Sequence, residues 1–89
     1  MSEPRYRRNP LAVWRASRWF LVAAVPPALP TRVGGSAAAV WHALAAEVTL
    51  AQLVQQVSAE VGAPAGTIAA DVRAMIDELV PLDLVEVLT

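Results

Sequence analysis

The sequence predicts an α+β domain: strands first, then three short helices, then a short extended tail. Two observations carry this. Between Gly34 and Leu79 three segments repeat apolar residues at helical spacing, each opening on a residue suited to start a helix. Before Gly34 the apolar residues instead cluster in short runs rich in Val, Trp, Phe and Leu, separated by polar and proline-containing breaks. None of the helical segments can bury its apolar stripe alone, so they must pack on one another and on the strands.

Residues 1–10 are polar, with three arginines and two prolines, and are expected to form a flexible tail without regular structure, apart from local packing by Tyr6. The domain proper is expected over 11–89. Leu11 to Arg15 and Trp19 to Ala24, joined by polar residues, read as a β-hairpin. Trp14, Trp19 and Phe20 are expected in sheet and core packing. After Val25-Pro26-Pro27 turns the chain, Ala28 to Val33 reads as a third strand. Pro30 in its middle makes it an edge strand, because proline lacks the N–H that a central strand needs.

The first helix is expected over Ala37 to Ala46, capped by Ser36, with Ala37, Val40, Trp41 and Leu44 on its buried face. The second, Leu50 to Val61, is capped by Thr49, closed by Gly62, and buries Leu50, Leu53, Val54 and Val57. The third follows Pro64, with Thr67 as an alternative start, and runs to Leu79. Its stripe is Ile68, Val72, Met75 and Leu79, widened to one side by Ile76, with Ala69, Arg73 and Val80 along that flank. Pro81 ends it, and Leu84 to Leu88 is a last strand or extended tail. The order of elements suggests a winged helix-turn-helix with an N-terminal three-stranded antiparallel sheet.

Charge is divided along the chain. Six arginines face one glutamate before Gly34, whereas one arginine faces seven carboxylates from Gly34 onward. Either a charged partner is steered to one face, or two layers have different solvated rims. There is no cysteine, so thiolate chemistry and disulfides are excluded, as is a cysteine metal site. There is no lysine for a Schiff base. His42 is the single histidine and lacks companion ligands, so no metal or other cofactor is expected. No carboxylate pair is placed for acid–base work, and the chain is not expected to be an enzyme. The apolar run Trp19 to Val25 is short and approached through Arg15 and Arg18, unlike an export signal, so a cytoplasmic location without membrane insertion is expected.

Three functional classes follow. A DNA-binding winged helix would put the third helix in the major groove, yet that helix carries Arg73 against Asp71, Asp77 and Glu78 and would be repelled by phosphates, so nucleic acid is not the expected partner. A homodimerisation module would pair two edge strands; the chain is expected to be a monomer or a weak dimer. Peptide recognition would add a guest strand to Leu29–Val33, against a helical wall of Ala69, Arg73, Ile76 and Val80. Pro30 could instead simply blunt that edge.

From about Leu11 to Val87 the chain resembles the PqqD family, the peptide-recognition domains of ribosomally made peptide natural products. The matching stretches are A-A-V-W-H-A-L at Ala38 to Leu44, T-L-A-Q-L at Thr49 to Leu53, D-V-R-A-M-I-D-E-L at Asp71 to Leu79 and L-V-E-V at Leu84 to Val87. Asp83 stands where the family commonly has glycine. The resemblance implies a non-catalytic chaperone that binds the leader of a precursor peptide. It would present that leader to a modifying enzyme such as a radical S-adenosylmethionine enzyme, a cyclase or a protease. It also implies a guest strand along Leu29, Thr31, Arg32 and Val33, facing Arg73, Ile76 and Asp77. Arg32 and Arg73 would meet acidic leader residues, while Ile76 and Val80 hold an apolar anchor.

Overall fold

The computed structural model describes residues 3–17 and 19–89. Its strands are β1 (Arg5–Arg8), β2 (Val13–Ala16), β3 (Phe20–Ala24), β4 (Thr31–Gly34), β5 (Val48–Thr49) and β6 (Val85–Leu88). Its helices are α1 (Ala37–Ala43), α2 (Leu50–Val61) and α3 (Ala65–Leu79), the last followed by a 3-10 turn over Val80–Leu82. The α+β order of strands, three helices and a terminal strand is as expected from the sequence.

Two antiparallel three-stranded sheets are present, β2-β3-β4 and β5-β1-β6. The first is the expected sheet. In it Trp14 stands beside Ala23 and Ala16 beside Leu21, while Val33 stands beside Leu21 and Thr31 beside Ala23. Side chains opposite one another share a face, and this face packs on α1: Leu21, Ala23 and Val33 are buried with Val40 and Trp41.

The second sheet corrects the reading of residues 1–10. Arg5–Arg8 is not irregular but the central strand, pairing Arg5 with Thr49 of β5 and Arg5 through Arg8 with Leu88 through Val85 of β6. Tyr6 is buried, and Arg5 and Arg7 form ion pairs with Glu47 and Glu86. Only the partners make the segment a strand. Its own composition is that of a loop, and both partners lie more than forty residues along the chain.

The helices follow their local chemistry. Thr49 caps α2 by a full capping box: Thr49 Oγ1 accepts from the Gln52 amide, and the Gln52 side chain accepts from the Thr49 amide. Gly62 closes α2 with φ of 73°, in the left-handed region that glycine occupies without strain. Ser36 precedes α1 but makes no side-chain cap bond. Trp41 of α1 is the largest fully buried side chain, and its indole Nε1 is buried without a hydrogen-bond partner. Trp14 is packed edge-on against it across the sheet–helix seam, with ring centroids 5.9 Å apart. Trp19, expected in the core, is instead 72% exposed, because it lies in the hairpin turn outside both strands.

Candidate functional site

β4 ends the β2-β3-β4 sheet, with no strand on its far side among the described residues. Alternate backbone N–H and C=O groups of such a strand point away from its neighbour and stay available to an added chain. The strand begins at Thr31, so Pro30 precedes it rather than interrupting it. No proline therefore falls within the strand, and every β4 residue keeps its amide. Leu29 lies outside β4 in the approach from Pro26-Pro27 and is 86% exposed.

Side chains along β4 alternate. Thr31 and Val33 face the core side, where Val33 is buried, and Arg32 faces outward. The Arg32 guanidinium lies over the Phe20 ring, 4.3 Å from its centroid, and has no carboxylate partner among the described residues. Phe20 is on β3 opposite Gly34, two pairs along from the Val22–Arg32 pair and on the same face. The sequence places Phe20 in sheet and core packing but does not reveal this stacking, which exists only once the register is fixed.

The residues expected to form the helical wall do not gather in one place. Ile76 is 2% exposed and belongs to the central core with Ile68, Val72 and Leu79, rather than to an open flank. Met75, placed in the stripe by periodicity, is only partly buried. Arg73 is exposed and bonded to Asp77 one turn on, with Nε 3.3 Å from Oδ1. It shares a concavity of about 210 Å³ with Glu3, Pro4, Tyr6, Leu50 and Ala51, beside β1 and the start of α2. Ala69 is partly buried on the same flank. Val80 lies past α3 in the 3-10 turn and shares a larger concavity, about 670 Å³, with Val25 at the end of β3 and with Val85 and Val87 of β6. Thus the structure brings Thr31, Arg32 and Val33 together on one open edge, and places Val80 near the end of the neighbouring strand. Arg73 and Asp77 satisfy each other elsewhere on α3.

The turn after α3 accounts for Asp83. It has φ of 60°, the left-handed conformation that glycine takes most readily. Its carbonyl accepts from the Asn9 side chain, which ties the turn to the residue after β1. An aspartate thus holds the conformation for which glycine is common in the resembled family. Among the described residues, no helix is long and apolar enough to cross a membrane.

The sequence matches the family model described as Coenzyme PQQ synthesis protein D (PqqD) over residues 31–85, more than half of the chain, and the chain belongs to that family. The match begins at the first residue of β4 and ends at the first residue of β6. No match was found among curated proteins or among solved structures.

Proposed function

We propose that this PqqD-family chain is a non-catalytic peptide chaperone. It binds the leader segment of a ribosomally synthesised precursor by strand addition to β4 and presents it to a modifying enzyme. The observation that carries this reading is an unpartnered strand edge, free of proline, lying inside the segment that matches the family. The other free edge of the same sheet, β2, lies outside that segment.

A strand laid along β4 gains main-chain hydrogen bonds from the sheet edge, and its alternate side chains find different surroundings. Those beside Thr31 and Val33 turn toward the core side; the one beside Arg32 turns outward to a guanidinium without a carboxylate. Leu29 extends the edge at its open end. Ala69, Val80 and the Arg73–Asp77 pair, expected as a helical wall, do not come together beside β4, so in this reading the strand edge and Arg32 hold the guest. Ile76 acts from behind as the support of α3. Such binding needs no chemistry here, because tethering raises the concentration of the precursor at the enzyme. The winged helix-turn-helix arrangement is part of the same reading, with the edge strand β4 as its peptide-binding element.

The test is calorimetric titration with synthetic leader peptides from short reading frames encoded beside the gene, for the wild type and Arg32→Glu. The wild type should bind one of them one-to-one, with at least tenfold weaker binding by the variant and slower amide exchange across β4 in the complex. Unchanged affinity in Arg32→Glu, or protection elsewhere than β4, overturns the site. A salt-sensitive shift of random duplex DNA, without peptide binding, would replace it with nucleic-acid recognition.

A further inference from the structure

The β2-β3-β4 sheet has a second face, turned away from α1, and this face carries an unusual row. Register places Arg15 of β2 beside Val22 of β3, and Val22 beside Arg32 of β4, so an arginine stands on either side of a valine across the whole sheet. The next row holds Val13 beside Ala24, and the row on the other side holds Phe20 beside Gly34. Val13 is 65% exposed, and Val22, Ala24 and Phe20 are half-buried. A shallow concavity of about 320 Å³ opens over Val13, Arg15, Val22, Ala24 and Pro30.

The charges on this face are unmatched. Among the described residues Arg5, Arg7 and Arg73 each meet a carboxylate, whereas Arg15 and Arg32 on this face meet none; nor does Arg8, which lies instead over the Trp14 and Trp41 rings. No carboxylate exists in the sequence from Pro4 to Ala46, so none of these strands or their connections supplies one. Apolar side chains left uncovered between two uncompensated cations mark a surface made for a complementary one.

We infer that this outer face is the docking surface for the protein that receives the guest peptide, and that it takes an α-helix whose apolar stripe is flanked by carboxylates. Strands two apart are roughly 10 Å from each other, which separates Arg15 from Arg32 by about the diameter of a helix. A helix lying along Val13, Val22 and Phe20 would therefore bring one flank to each arginine. One helix on three short strands buries less than the roughly 1,200 Å² of a standard interface, which suits a transient hand-over. The inference rests on the reading of β4 as the guest edge, because a guest strand there continues the same row beyond Arg32. A partner on the outer face would then touch protein and guest together. A second copy of this chain is the weaker fit. The exposed side of α3 has carboxylates in Asp71, Asp77 and Glu78, but the apolar residues exposed beside them are only the small Ala70 and Ala74, and Asp77 is already paired with Arg73.

The probe is the purified peptide-modifying enzyme encoded beside the gene, titrated against the full chain at low and high salt. The variants are Val13→Asp and Arg15→Glu, both outside the guest edge and on exposed positions, with Arg15→Lys as the conservative control. The expected result is unchanged leader binding, at least tenfold weaker enzyme binding in Val13→Asp and Arg15→Glu, near-wild-type enzyme binding in Arg15→Lys, and enzyme affinity that falls with salt. Unchanged enzyme affinity in both variants overturns the docking surface while leaving the peptide reading intact. Wild-type self-association that Arg15→Glu abolishes, seen by sedimentation across concentrations, also overturns it in favour of a second copy. Failure of any leader to bind would overturn the reading of β4 instead, and enzyme binding that remains sensitive to Arg15→Glu would still uphold the surface.

Discussion

Arg32 of β4 rests its guanidinium over the ring of Phe20 on β3, 4.3 Å from the centroid. An exposed arginine otherwise samples many rotamers, and ordering it on binding costs free energy. The ring holds it in place before a guest arrives. Phe20→Leu removes the cation–π contact, worth about 0.5–1 kcal/mol at an exposed site, while keeping an apolar side chain. An acidic leader should then bind roughly two- to fivefold more weakly by calorimetry, with the thermal midpoint little changed.

Ile76 offers a second expectation, because its burial changes what a substitution there means. Ile76→Ala should lower unfolding free energy by about 2–5 kcal/mol in a urea titration, and Ile76→Asp should leave the chain unfolded by circular dichroism. A folded Ile76→Asp variant with weakened peptide binding would instead put Ile76 on an open wall.

Tyr6 distinguishes an ordered strand from a tail. Its side chain is buried in the core cluster, on a strand that pairs it with Val48 of β5 and Val87 of β6. Tyr6→Ala should destabilise the protein by about 3 kcal/mol in chemical denaturation, as for other buried aromatics. A tail residue would change stability by less than about 0.5 kcal/mol.

Asp83 should respond in the opposite direction. A non-glycine residue in the left-handed region costs about 1–2 kcal/mol, part of which glycine recovers and part of which it loses again through its freer unfolded chain. Asp83→Gly should therefore stabilise by about 0.5–1 kcal/mol, visible as a rise in the urea midpoint without a change in slope.

What the sequence revealed and what it concealed divide along the range of the interactions. The Thr49 cap, the Gly62 stop and the stripe Ile68–Val72–Leu79 rest on neighbours within a few residues, and each is legible from spacing. The β2–β3 hairpin is legible for the same reason. β1 and β5 are not, because Arg5–Arg8 becomes a strand only by pairing with Val48–Thr49 and Val85–Leu88. Periodicity also leaves the centre of the buried face of α3 uncertain by one position. It favoured Met75 over Ile76, while packing against the surrounding elements buries Ile76 more deeply. In the candidate site, the edge position of Thr31–Val33 was legible because Pro30 is a local signature, although Pro30 itself precedes the strand. The dispersal of Arg73 and Val80 depends on how α3 meets the β5-β1-β6 sheet and the start of α2, which spacing does not encode.

The pairing of Arg5 with Leu88 has a practical outcome for engineering. Opposed residues in such a ladder have Cα atoms about 5 Å apart, so a few glycines and serines would bridge Arg5 and Leu88. The gene could then be reopened within residues 45–47, giving a circular permutant in which a fluorescent reporter or a cargo enzyme leaves from the α1–β5 connection, well separated in sequence from β4.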